Sequence, residues 1–435
     1  MKVLIVGAGL GGLACAIACK KEGLEVVVLE RANRIVPIGS GIQVPPNGTR
    51  IARQLGFLDR LLERGVAIDG VQLRRYANGE PLHPLSEKSY QEQYGDPWMV
   101  VHRADFHAVM WDECEALGVD LCLDLDVESI DFENNTVWLE DGDDISGDVV
   151  IGSDGMSVLN LIGLYSVCRN QLLGKPSPAA ETGDVAYRAS FPLEYLKSLN
   201  DAKIEELYSR KRITIWVGPQ KYTLFYPVRG GKEFNLVLFK PDVMPHGQRH
   251  IDGEVGEMRQ EYEGWDETLV KLISRIPRVQ KWKPCTHPEL ETWTKKCVAL
   301  LGDSCHPSLP YQAQGAAMAI EDGAVLGRLL GMLNTSAQES LTELIPEVLQ
   351  LYESLRKSRT TLNVQGARSN HKWYRVPDGP EQQARDAEMA GSSLGEGLLP
   401  TGWSWIDSDY QQKLLGHDSV AEAVEAFKAW ETSRA

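Results

Sequence analysis

Short apolar runs separated by glycine mark the first thirty positions: KVLIV, then GAGLGG, then LACAIACKKEG, then LEVVVLE. This order predicts a strand, a tight turn, a helix and a second strand over residues 2 to 30, one βαβ unit. Further along, the pattern predicts a helix over 48–64, a strand over 71–76 and an amphipathic helix over 104–117. A strand over 148–152 ends in Gly152-Ser153-Asp154-Gly155. From about 185 to 283 the texture changes to β-branched and aromatic runs, VAYRASF, RITIWVG, YTLFYPV and FNLVLF, which predict an antiparallel sheet. Near 297 a buried strand returns in CVALLGD, followed by a loop bearing Pro and Gly and a helix over about 316–333. A helix over about 341–366 leads into a polar C-terminal extension marked by Gly and Pro, and no internal repeat is found.

These shifts divide the chain into a discontinuous α/β unit at 1–184 and 284–340, an inserted β-sheet unit at 185–283, and a helical extension at 341–435. With 435 residues and 43% hydrophobic content, the chain can bury substantial cores. A net charge of -16 without a Lys/Arg block argues against a nucleic-acid surface and for a small-molecule partner. The eight cysteines, scattered and without a CxxC pair, predict reduced thiols. His287 and His306 lack the carboxylate or cysteine spacing of a metal site, so no metal is expected. The chain enters Val3 directly, without a charged leader, and no window reaches the roughly 20 apolar residues that span a bilayer. A cytoplasmic protein without stable membrane insertion, monomeric or homodimeric, is expected.

Three separated motifs carry the candidate chemistry. Gly7, Gly9 and Gly12 would let the backbone bend close to a pyrophosphate, whose charge suits the N-terminus of the next helix. Glu30, ending the second strand, stands where a carboxylate holds the two hydroxyls of an adenosine ribose; it disfavours a 2′-phosphate, so FAD or NAD fits better than NADP. The second motif, VHRADF, puts Arg103 just before a helix. In the third, Asp303 ends a buried strand and Gly315 and Ala316 open the following helix, whose free amides suit an electron-rich group. Taken singly, Arg103 reads as a solvated charge and Asp303 as a turn cap.

In this order the motifs resemble the single-component flavoprotein monooxygenases that hydroxylate aromatic rings, in their salicylate-hydroxylase-like and fungal polyketide-hydroxylating branch. GSGIQVPPNGTRIARQLG, VHRADF and LLGDSCHPSLPYQAQGAAMAIEDG carry the likeness over residues 1 to about 365. The resemblance implies a para-hydroxybenzoate-hydroxylase-like fold: a Rossmann-like FAD domain with an inserted antiparallel sheet for substrate. It implies that Glu30 holds the ribose, Gly41 lies beside the cofactor, and Arg103 meets the FAD phosphate or ribityl region. Asp303 would bind the ribityl chain, with Gly315 and Ala316 presenting amides to the isoalloxazine. FAD would take electrons from NAD(P)H and, through a flavin C4a-hydroperoxide formed with O2, oxygenate an electron-rich ring.

By the same resemblance Arg188 stands where an arginine anchors the substrate phenolate. Tyr222 opens the strand that carries a substrate-facing His or Tyr, and its Tyr leans toward the polyketide-type enzymes. A strand arginine with its head in water, and a packed strand tyrosine, are the plain alternatives. The chain departs from the family at Asp154. There the pattern Asp-Gly-x-x-Ser-x-x-Arg, whose Asp helps position the FAD ribityl group and NAD(P)H, is interrupted by residues 156–163 before Ser166 and Arg169 complete it. The interruption raises the expectation of impaired flavin reduction. Epoxidation or oxidative rearrangement of an alkene or indole, and a flavin-binding protein that no longer oxygenates, are the competing functions. Trp403 and Trp405 read as packing.

Overall fold

The computed structural model describes residues 1–35, 39–155, 166–336, 341–391 and 407–434. The interruption at 156–163 and the tryptophans at 403 and 405 lie outside the described residues.

The apolar runs at the start and near 297 form the middle of a six-stranded sheet. Its order is Thr294–Lys295, Val298–Leu300, Val149–Gly152, Lys2–Val6, Glu25–Glu30 and Asp120–Leu123, and all pairings but the first are parallel. Parallel strands covered on both faces need side chains that are apolar in succession, which is why KVLIV and VVIG read as unbroken runs. The helix Leu10–Lys21 covers one face and is itself covered by Gly315–Ser336. Small residues on both, among them Ala14, Cys15, Gly323 and Gly327, let the backbones approach closely. All eight cysteines are free.

A seven-stranded sheet stands beside it, in the order His250–Gly253, Val279–Trp282, Asp184–Pro192, Glu233–Pro241, Lys221–Val228, Arg212–Gly218 and Gly70–Arg75. It is antiparallel except at its last pairing, where Gly70–Arg75, from far earlier in the chain, adds parallel to Arg212–Gly218. Alternation gives this sheet two apolar faces. Tyr187, Trp216, Phe225, Phe234 and Leu236 pack under a cap of short helices. Ala186, Tyr222, Tyr226, Val237 and Phe239 turn toward the first domain, where they meet Val100, Leu309 and Tyr311.

Element limits differ from expectation in two informative places. The helix predicted over 48–64 is two, Pro46–Gln54 and Leu58–Arg64, because Gly56 adopts φ +83° just past the first and ends it. The helix predicted to stop near 366 runs from Leu341 to Tyr374. Gly366 does not stop it, since its bare Cα makes room for Tyr410 and Gln312. Beyond it the extension folds as Pro380–Met389, Ser408–Leu415 and Ser419–Arg434.

Candidate active site

The parallel register places four adjacent strand ends along one edge, since Val6 pairs with Gly152 and Leu29, and Gly152 pairs with Leu300. Gly7, Glu30, Asp154 and Asp303 therefore emerge side by side at the carboxyl ends of neighbouring strands, where doubly wound sheets bind nucleotides. Gly7 turns the chain with φ +105°, and a Cβ there would stand 2.6 Å from the Ser153 carbonyl. Gly12 packs over the same turn, leaving no room for a side chain beside the Gly7 carbonyl. Gly9 caps the helix Leu10–Lys21 with no side-chain bond to its amides, no acid in the first turn, and open space where a Cβ would go. An uncapped helix start flanked by open space is the chemistry a pyrophosphate requires, so the turn fits the nucleotide.

The Glu30 carboxylate is held by two backbone donors, Ala8 N–H at 2.9 Å and Ala32 N–H at 3.0 Å. Each oxygen keeps acceptor capacity for a ribose hydroxyl. Arg103 opens the helix Arg103–Ala116, is exposed, donates its backbone N–H to Ser40 and runs along Gly39. Asp303 sits in a single turn after the strand Val298–Leu300 and keeps exposed surface. The protein crowded around it pushes its pKa up, opposed by His306, Arg103 and Arg169. Gly315 and Ala316 begin the helix Gly315–Ser336, part-exposed and with no acid in its first turn. Gln314, just before them, is clamped to Asn47 at 2.9 Å.

The interrupted pattern is reassembled by its flanks. Ser166 donates to Asp154 at 2.7 Å, Cys168 N–H to Asp154 at 3.1 Å, and Arg169 N–H to Ser166 at 2.9 Å, making Ser166 the cap of the helix Val167–Leu173. The Arg169 guanidinium is buried and donates to the carbonyls of Ser304 and Ser177. Burial raises the Asp154 pKa, while Ser166, Cys168 and Arg169 oppose the rise. Because these contacts already exist, deletion of residues 156–163 is expected to leave the FAD dissociation constant within about twofold, read by flavin fluorescence titration. A loss of binding would mean that the inserted residues themselves support the cofactor.

Gly41 borders both units. Its carbonyl accepts from the Tyr226 hydroxyl at 2.7 Å, and a Cβ would stand 2.6 Å from the Tyr226 ring, so the close seam between sheet and cofactor domain requires glycine here. Arg188 and Tyr222 share the sheet face that looks across this seam. Arg188 pairs with Val237, and Val237 with Leu224, which sits two residues from Tyr222 along its strand. That spacing separates the two residues by roughly 10–12 Å. Arg188 Nη1 donates to Ser40 Oγ at 3.0 Å and its guanidinium lies 4.2 Å from the Trp282 ring centroid. Among the described residues no carboxylate pairs with it. Burial lowers its pKa, opposed by Tyr226 and reinforced by Arg103. Ser40 and Trp282 had no sequence signal, because they meet Arg188 only across the seam and across strands.

Tyr222 lines a narrow recess with free space of about 20 Å³, part of it open to solvent, together with Gln43, Val71, Leu224, Tyr311 and Tyr374. Its ring stacks on Phe239 at 4.6 Å and lies beneath the Arg375 guanidinium at 5.7 Å. Its hydroxyl is buried and has no hydrogen-bond partner among the described residues. Burial drives its pKa well up, so it stays a neutral phenol. His287 and His306 are structural: the first bonds Ser177 and the Pro288 carbonyl, and the second contacts Asp322 at 2.5 Å. Cys305, His306 and Asp322 lie within metal-ligand reach of one another, but the Asp322 oxygens are already taken by Arg356, Gly302 N–H and His306.

A glycine turn at an uncapped helix start, with acids at the ends of two neighbouring parallel strands and a second, antiparallel sheet packed alongside, has the form of a dinucleotide-binding protein. The chain belongs to the FAD-binding-domain family, whose model matches residues 1–366. It is 35% identical over 428 residues to the FAD-dependent monooxygenase OpS4 of Beauveria bassiana (strain ARSEF 2860), covering 97% of this chain and 96% of that protein. It is 30% identical over 400 residues to a 3-hydroxybenzoate 6-hydroxylase of Klebsiella oxytoca, covering 91% and 94%. A solved salicylate hydroxylase substrate complex has the same fold, with a TM-score of 0.77 at 21% identity over 98% of both chains. The expected α/β fold with an inserted antiparallel sheet is thereby met. No helix among the described residues is long and apolar enough to cross a membrane.

Proposed function

We propose that this FAD-dependent monooxygenase uses NAD(P)H and O2 to hydroxylate a phenolic or otherwise electron-rich aromatic small molecule held between the sheet face and the seam. Arg188 anchors the phenolate and Tyr222 shares a hydrogen bond with the ring oxygen. FAD, held by the turn at Gly7, Glu30, Arg103, Asp303 and the helix start at Gly315 and Ala316, supplies electron transfer from NAD(P)H and activation of dioxygen. The chain's own residues bind and orient the ring, stabilise its oxyanion and keep water from the recess.

The observation that carries the reading is a permanent cation on the sheet face that looks across the seam, with no carboxylate partner among the described residues. An unpaired guanidinium in a crowded seam costs free energy unless a ligand oxyanion completes it, and ionising a phenol raises the electron density of the ring that is to be oxygenated. The 3-hydroxybenzoate and salicylate hydroxylases among its relatives and neighbours, by their names, act on phenols.

The test is the purified yellow protein with NADH or NADPH, a panel of phenols and indoles, and oxygen-18 gas. Label entering a phenolic ring as a new hydroxyl supports the reading. Label found only in an indole or alkene epoxide would replace it, and a flavin whose NAD(P)H oxidation no aromatic stimulates would remove it. Tyr222→Phe is expected to lower kcat/KM by about tenfold, the value of one buried hydrogen bond, and to alter the pH profile of the rate. An unchanged profile would reduce Tyr222 to packing.

A further inference from the structure

One recess wall has a polarity fixed from behind. Tyr311, in the loop between Asp303 and the helix Gly315–Ser336, lines the recess, and its hydroxyl donates to Asp184 Oδ2 on the substrate sheet. Asp184 is only 2% exposed. Its oxygens also meet His371 Nε2 at 2.6 Å and Arg375 Nη1, both from the end of the helix Leu341–Tyr374 or just beyond it. Burial alone would raise the Asp184 carboxyl, but His371, Arg375 and Tyr311 outweigh it and hold its pKa below the ordinary value. Burial and Asp184 together push the Tyr311 phenol up. The proton therefore stays on Tyr311 and points at the carboxylate, away from the recess.

A hydroxyl has one proton and two lone pairs. With its proton committed to Asp184, Tyr311 can offer a ligand only an acceptor. Tyr222, on the adjoining wall with its rings 5.8 Å from Tyr311, has a hydroxyl without a partner among the described residues and can turn either way. Resting on the reading of this recess as the substrate site, we propose that Tyr311 is a specificity-determining residue that selects aromatic substrates bearing a free hydroxyl, a donor, over their O-alkylated counterparts, with Asp184 as its positioning residue. An ether oxygen placed against Tyr311 would set lone pairs against lone pairs, leaving both buried acceptors unsatisfied.

The test compares three matched pairs that keep one phenol for Arg188 and differ only at a second oxygen: resorcinol with 3-methoxyphenol, 2,7-dihydroxynaphthalene with 7-methoxy-2-naphthol, and catechol with 2-methoxyphenol. Dissociation constants are read from perturbation of the flavin visible spectrum of the holoenzyme. The wild type should bind the hydroxyl member of a pair at least about tenfold more tightly. Tyr311→Phe should bring that ratio close to one, by weakening the hydroxyl member and tightening the ether, and ether binding no weaker than in the wild type also reports an intact recess. Asp184→Asn, whose amide can donate to the Tyr311 oxygen and release the tyrosine proton toward the recess, should shift the preference toward the ethers. A hydroxyl preference that survives Tyr311→Phe, or a wild type that does not discriminate within pairs, overturns the proposal. If no member of any pair perturbs the flavin, the recess is not the substrate site, and the reading beneath the proposal fails first.

Discussion

Arg188→Ala is expected to bind FAD as the wild type does and to lose product formation by about 100- to 1000-fold in kcat/KM, the magnitude of removing one preorganised donor from a developing oxyanion. FAD affinity should hold because Arg188 touches Ser40 and Trp282, while the glycine turn, Glu30 and Asp303 make separate contacts. The pH profile separates anchoring from packing. A cation beside a bound phenol lowers the phenol pKa, so without it the rising limb of kcat should move to higher pH. Arg188→Lys keeps the charge but not the planar stack on Trp282, and should recover part of the activity. Normal turnover in the alanine variant, measured as oxygen-labelled product per NAD(P)H consumed, eliminates Arg188 from the mechanism.

What the chain disclosed by itself follows from how local each signal is. The glycine turn, Glu30 and the buried strand ends are short-range patterns, and parallel register then brings them to one sheet edge without further information. Arg188 and Tyr222 were recognisable as residues on strands. That they share a face was not, because it depends on two intervening registers, Arg188 to Val237 and Val237 to Leu224. The recess wall built by Tyr311, Tyr374 and Arg375 stayed hidden for another reason. Gly366 is a legitimate stop signal, and only its packing against Tyr410 and Gln312 explains why the helix continues for eight more residues to Tyr374. Similarly, strand alternation marked Gly70–Arg75, but nothing local tells a strand to join a sheet whose other members begin more than a hundred residues later.

The largest expected loss of stability lies in a network that no motif announces. Glu321 and Asp322, both fully buried, receive Arg356 at 2.6 and 2.7 Å, and Glu321 also receives Arg359 Nε at 2.9 Å. Asp322 in turn accepts Gly302 N–H at 2.9 Å, which fixes the turn carrying Asp303. Glu321 accepts from Asn47, the residue that clamps Gln314 before the helix start at Gly315. Arg359 reaches the carbonyls of Lys413 and Leu414, so the same charges pin the C-terminal helices. Burial alone would raise both carboxyl pKa values. For Glu321 the two arginines outweigh it, for Asp322 His306 and Arg356 do, and both groups are held below their ordinary range. A depressed folded pKa contributes stability that is present above the unfolded value of about 4 and is lost as the pH falls below it. Arg356→Ala leaves two carboxylates facing one arginine and is expected to cost about 3–5 kcal/mol, lowering the melting temperature by roughly 5–15 °C and weakening FAD binding through the Gly302 turn. Removing the Asp322–Arg356 pair together, as Asp322→Asn and Arg356→Met in one chain, keeps Glu321 paired with Arg359 and should cost less than the single change, because breaking a buried pair is worse than removing it. A melting temperature for Arg356→Ala within 2 °C of wild type, with flavin release unchanged on heating, would show that these charges do not hold the cofactor edge in place.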